Sequence, residues 1–192
     1  MLLCFVLSSF YSCQPRPTLL RIEQPETAQP KPKTVGINSA RLDLLLLKFA
    51  KRGSKLAFAK FVQDWAVQAR QIQSSSGIPA QITLAVALLE TGGGQSEIAR
   101  QSNNLFNIKA LKTDCSYRCG RGSNWAKYES KEQSFAHFAR LVSGYNLGEI
   151  TPHRFAQSPY LAGASKIKRA KYAQKIQDII EQYDLIRIFT EG

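Results

Sequence analysis

The sequence predicts a mainly α, α+β domain: a helical lobe built round one central buried helix, with a small β-hairpin or irregular lobe attached. Three observations carry that expectation. Apolar residues recur at helical spacing in four separate segments. A fifth, IPAQITLAVALLE from Ile78, is apolar on nearly every side and so belongs at a domain centre. Residues 109–127, by contrast, are polar, glycine-containing and cysteine-bearing, with no helical period.

In chain order, MLLCFVLSSFYSC is an apolar run too short to span a bilayer, and residues 1–13 fit the core of a secretory signal peptide. No Lys or Arg precedes it, as such a signal usually requires. Cys13, following Ser12, resembles the acceptor of a lipoprotein signal, which would make it a lipidation site and a membrane anchor. Five of the eight prolines fall between Pro15 and Pro32, so residues 14–38 form an extended, solvated tether. The folded domain is expected over 39–188. Ser39 caps a helix carrying Leu42, Leu45, Leu46 and Phe49. A second helix spans 55–73, with Phe58, Phe61, Val62, Trp65, Ala69 and Ile72 as its buried stripe. Pro79 suits the first turn of the central helix, where a missing N–H is harmless, and Thr91-Gly92-Gly93-Gly94 ends it. Further helices cover 130–143, led by Phe135, Phe138, Ala139 and Leu141, and 171–183, with Tyr172, Ile176, Ile179 and Ile180 on one face.

The 192 residues leave room for one domain plus an extension, and no internal repeat or second linker is found; a monomer is expected. A net charge of +12 favours polyanionic partners such as anionic envelope polymers. Nucleic acid is disfavoured, because the basic residues are scattered and the aromatics sit in core-like periods. In an exported chain Cys115 and Cys119 fit a local disulfide. A metal site would need more ligands than His137 and His153 supply, and nothing calls for a cofactor.

Glu90 is the one charged side chain on the apolar helix. Desolvation and the negative helix C-terminus both favour its neutral form, the state in which a glycosidase acid protonates a leaving oxygen. Gly92, Gly93 and Gly94 would leave open backbone for close approach of a sugar chain. The alternative is a solvated carboxylate followed by a glycine C-cap, and position alone does not choose between them.

More residues weigh in. Gly77-Ile78-Pro79-Ala80, Thr83-Leu84-Ala85, Leu89-Glu90, Gly92, Gly94, Ser96, Ala99, Asn103-Asn104-Leu105-Phe106 and Ile108-Lys109-Ala110 form one connected pattern. Trp125-Ala126-Lys127-Tyr128, then Ser130, Glu132 and Ser134, continue it, and KYAQKIQDIIEQYDL closes it. This pattern resembles the flagellar- and autolysin-type N-acetylglucosaminidase domains of glycoside hydrolase family 73, over roughly residues 55–185. The resemblance implies a lysozyme-like fold and hydrolysis of the β-1,4 bond after N-acetylglucosamine in peptidoglycan strands. It also implies that Glu90 is the catalytic acid, that Tyr128 lies beside the cleft as a further catalytic residue and that Asn104 and Phe106 shape its floor. Trp125, Gly92 and Gly94 join them as substrate contacts. Core packing is the competing role for Phe106 and Tyr128, and holding a turn together is the competing role for Asn104.

Two positions depart from the family. Gly93 stands where a tryptophan is frequent, which would remove a stacking surface, and Asn107 replaces a glycine while still suiting left-handed backbone. An inverting enzyme needs a second carboxylate roughly 6.5–9.5 Å from the acid. Asp114 is the choice here, ahead of Glu129 and Glu97, unless the substrate's acetamido group serves instead. Competing functions are a muramidase or lytic transglycosylase acting on the neighbouring bond, and a non-catalytic wall-binding scaffold.

Overall fold

The structure is a computed structural model that describes residues 36–110 and 124–190. These belong to one of the two units into which the chain divides, Thr34–Gly192; the other, Met1–Lys33, lies outside them. The expectations for Cys13, Asp114, Cys115 and Cys119 therefore fall outside the described residues.

Helix α1 (Ser39–Phe49) is capped by Asn38, whose side-chain oxygen accepts from the Arg41 N–H at 3.1 Å. Ser39, expected as the cap, is the first helical residue instead. Helix α2 (Gly53–Ser76) overruns its expected span at both ends and stops at Gly77, which takes the left-handed conformation (φ 74°). Pro79 then sits one residue earlier than expected, as the extended residue before α3 (Ala80–Thr91). The α3 residues from Ile82 to Leu88 are all buried, and α2 packs along this helix. Burial of each large aliphatic side chain there contributes about 1.5–3 kcal/mol.

Four short elements escaped the sequence analysis: α4 (Glu97–Ser102), α6 (Pro152–Gln157), the 3-10 turn Pro159–Leu161 and α8 (Leu185–Phe189). The other two helices match expectation more closely. Ser130 caps α5 (Lys131–Ser143), and α7 (Lys166–Gln182) begins five residues before the expected start, behind a Ser165 cap. Both α7 and α8 pack on α3, completing the shell round the central helix. Phe106 lies flat against Phe138 (4.1 Å between centroids, 12° between planes) and edge-on to Phe135, which ties the loop after α4 to α5.

On either side of residues 111–123 the described chain meets in one antiparallel bridge, Lys109 opposite Trp125. The Ala110 N–H donates to the Asn124 carbonyl and the Ala126 N–H to the Ile108 carbonyl, both at 2.9 Å.

After α3 the chain passes through Gly92, Gly93 and Gly94, all at positive φ (59°, 69°, 77°). This turn brings the chain back onto α2. A Cβ at Gly93 would stand 3.1 Å from the Phe58 ring, and one at Gly94 3.3 Å from the Phe61 ring. Gly93 is buried there, so a tryptophan, frequent at this position in the family the sequence resembles, would have to displace the Phe58 ring. Gly93→Trp should destabilise the domain by at least about 2 kcal/mol, from overpacking and left-handed strain together. Urea unfolding of the variant checks this; a midpoint at or above wild type would overturn it.

Candidate active site

Glu90 occupies the last turn of α3 and opens into a cleft of about 470 Å3, within the size range of ligand-binding clefts. Among the described residues the cleft is lined by the 106–109 turn, by Trp125, by His137 and Leu141 of α5, by Tyr145, and by the 159–162 segment. Glu90 is the only carboxylate among these described lining residues.

Both carboxyl oxygens are held. The Tyr172 hydroxyl of α7 donates to Oε1 at 2.6 Å, and the Asn107 Nδ2 donates to Oε2 at 3.0 Å. The same Nδ2 donates to the Glu90 main-chain carbonyl at 2.7 Å, satisfying one of the free carbonyls of the helix end. Asn107 reaches this position through a left-handed backbone (φ 47°), and its Oδ1 is buried without a hydrogen-bond partner.

Tyr160 donates from its hydroxyl to the Phe106 carbonyl. Burial, then the negative charge of Glu90, pushes its pKa well above the ordinary tyrosine value. Tyr172 is raised as well, by burial first and then by Tyr160, the Glu90 charge and the hydrogen bond to Glu90. Both phenols stay neutral at any working pH, so they are hydrogen-bonding groups and not bases.

The residues singled out from sequence divide clearly. Glu90, Phe106 and Trp125 line the cleft together. Asn104 does not: it is fully buried and saturated. Its Nδ2 donates to the Ile108 and Ala126 carbonyls at 2.9 Å each, and its Oδ1 accepts from the Ile108 N–H at 3.1 Å and the Phe106 N–H at 3.4 Å. It holds the turn that presents Phe106 and Asn107. Tyr128 is also buried, with its hydroxyl 2.8 Å from Nδ1 of His137, and it is His137 that reaches the cleft. Gly92 and Gly94 are turn residues: Gly92 caps α3, Gly94 faces Phe61, and neither is among the lining residues. Neither therefore lies in this cleft among the described residues, although the space beside Gly92 is open. Nor do Glu97 or Glu129 line the cleft. Glu97 accepts from Gln101 and Glu129 from Gln133, both on exposed surface.

Sequence reasoning missed Asn107, His137, Tyr160 and Tyr172 as site residues. By spacing alone Tyr172 reads as one more member of the apolar face that includes Ile176. Only Asn107 carried a signal, as a side chain at a position where the resembling family has glycine.

A buried helix delivering one carboxyl group into a cleft edged by aromatic side chains is a lysozyme-like architecture that places a single described acid where it could protonate a bound substrate. Residues 66–185 match the glucosaminidase family, described as mannosyl-glycoprotein endo-beta-N-acetylglucosaminidase, and the chain belongs to that family of glycoside hydrolases. It is similar to the peptidoglycan hydrolase FlgJ of Pseudomonas aeruginosa, 29% identical over 64% of this chain and 36% of that protein. Exo-glucosaminidase LytG of Bacillus subtilis is 28% identical over 65% of this chain and 51% of its own length. The chain thus spans about half the length of these curated relatives or less. Among solved structures, a peptidoglycan hydrolase from Sphingomonas sp. A1 superposes with a TM-score of 0.53 at 28% identity, covering 69% of this chain and 97% of that one.

Proposed function

We propose that this chain is an extracytoplasmic peptidoglycan hydrolase that cuts the β-1,4 bond following N-acetylglucosamine, with Glu90 as general acid. The observation that carries the proposal is the Glu90 carboxyl, held by Tyr172 and Asn107 at the end of a buried helix, opening into a cleft. The named relatives, a peptidoglycan hydrolase and a glucosaminidase, support the substrate class.

In this account Trp125 offers the aromatic face against which a sugar ring packs, and Lys109 stands across the bridge from it. Protonation of the glycosidic oxygen by Glu90 releases the leaving strand as the bond breaks. Asp114, outside the described residues, is our candidate for the group that activates the incoming water. An acetamido group of the substrate acting in its place would need only the one acid. Export by residues 1–13, a membrane anchor at Cys13, a Cys115–Cys119 disulfide and a monomeric enzyme complete the proposal. The +12 charge serves attraction to anionic envelope polymers.

Mass analysis of muropeptides released by the purified protein tests the bond specificity. Fragments ending in reducing N-acetylglucosamine are expected. Ends carrying 1,6-anhydro-muramic acid would place the chain among lytic transglycosylases, and no release at all would leave a binding scaffold.

A further inference from the structure

We propose that Asn107 is a positioning residue that fixes which oxygen of Glu90 carries the transferable proton, and that eases its departure. The inference rests on Glu90 being the acid, as proposed above.

Three observations on Asn107 lead there. Its recorded hydrogen bonds go to Glu90 alone: Nδ2 donates both to the main-chain carbonyl and to Oε2. A carbonyl can only accept, so it dictates which way the amide faces. Turning the amide over would set Oδ1 against that carbonyl. The second observation is the orphaned Oδ1, buried without a partner. An unsatisfied buried acceptor is unfavourable, so the orientation is held by Glu90 in spite of it. The third is the backbone, which at φ 47° is a conformation glycine adopts more readily. A side chain is kept where a glycine would fit without strain, and what that side chain does is hold the carboxyl.

The chemical consequence follows from hydrogen-bond polarity. A proton on Oε2 would point at the N–H of Asn107, so the neutral acid carries its proton on Oε1. There the Tyr172 hydroxyl goes on donating to Oε1 at 2.6 Å, which leaves the Oε1–H itself free to pass to the leaving oxygen. As the proton passes to the leaving oxygen, negative charge grows on the carboxyl and the Asn107 bond becomes charge-assisted. That interaction is stronger in the transition state than in the ground state, which is how a bond outside the reacting atoms raises kcat. The other groups round Glu90 are Tyr172 from α7 and Tyr160 from the 3-10 turn, both neutral, with His137 from α5, Tyr145 and Lys109 lining the same cleft.

The test is the pH–rate profile of full-length Asn107→Gly and Asn107→Asp on purified peptidoglycan, beside Glu90→Gln. Glycine relaxes the left-handed backbone, so Asn107→Gly is expected to fold. It should lose about tenfold in kcat, with KM within about twofold of wild type. Without the donor, the charged form of the acid is less favoured and the proton is retained to higher pH. The alkaline limb of the profile should therefore move up by about one pH unit. Asn107→Asp sets a like charge beside Oε2, should move the limb further up, and serves as the second variant should Asn107→Gly not fold. An alkaline limb left where wild type has it, or a loss confined to KM, overturns the proposal. Activity surviving in Glu90→Gln would instead overturn the assignment of the acid. An inert Glu90→Gln with an unshifted Asn107→Gly removes only the role given to Asn107.

Discussion

Glu90→Gln is expected to lower turnover on cell-wall peptidoglycan by about 100- to 10,000-fold, the range over which a positioned general acid contributes. Glutamine can preserve the surroundings while deleting the chemistry. Its amide oxygen can face Asn107 as Oε2 does, and its N–H can be accepted by the Tyr172 hydroxyl. The melting temperature should accordingly stay within about 2 °C of wild type, a change under about 1 kcal/mol at this size. Turbidity clearing of purified sacculi, read beside a thermal melt, gives both numbers. Full activity with an unchanged melt would show that the carboxyl group is a structural feature of the helix end and nothing more.

The second large effect concerns stability. Asn104→Ala removes four hydrogen bonds at a fully buried position and leaves the Phe106 and Ile108 N–H groups and the Ala126 carbonyl without the partners they have here, while the Ile108 carbonyl keeps the Ala126 N–H. Each buried group left unpaired costs about 1–3 kcal/mol, though relaxation and water entry make the sum less than additive. A net loss of about 3–5 kcal/mol is expected, with the melting temperature falling by roughly 10 °C. Activity should fall with it, because Asn104 holds the turn that carries Asn107 to Glu90. A variant that melts like wild type yet has lost its activity would return Asn104 to the substrate-contacting role first expected of it.

Why Asn104 was misplaced shows what a sequence can and cannot carry. The helices were legible because burial imposes a period on them, and α3 stood out because it is apolar on all sides. Glu90 was legible for the same reason, as a charge interrupting that run. Polar residues in a turn carry no such period. Whether Asn104 faces the cleft or the Ile108 and Ala126 carbonyls depends on a chain segment 22 residues further on. Tyr172 was harder still. From its own helix it is one more member of a buried face, and only the packing of α7 against α3 brings its hydroxyl to a carboxyl 82 residues away. The short elements α4, α6 and α8 were missed because five or six residues give too little repetition for a period to be read. Gly93 misled in a different way. A frequent tryptophan invites a functional explanation for its loss, yet here the Phe58 ring occupies the neighbouring space.

The acid and its two partners come from positions 90, 107 and 172, so its surroundings are assembled from segments as much as 82 residues apart. A polypeptide still emerging from the ribosome, or one cut short before Tyr172, holds Glu90 but not the hydroxyl that completes its surroundings. Completion of the acid's surroundings is thereby tied to the docking of α7 on α3, since contacts so far apart in sequence are among the slow ones to form.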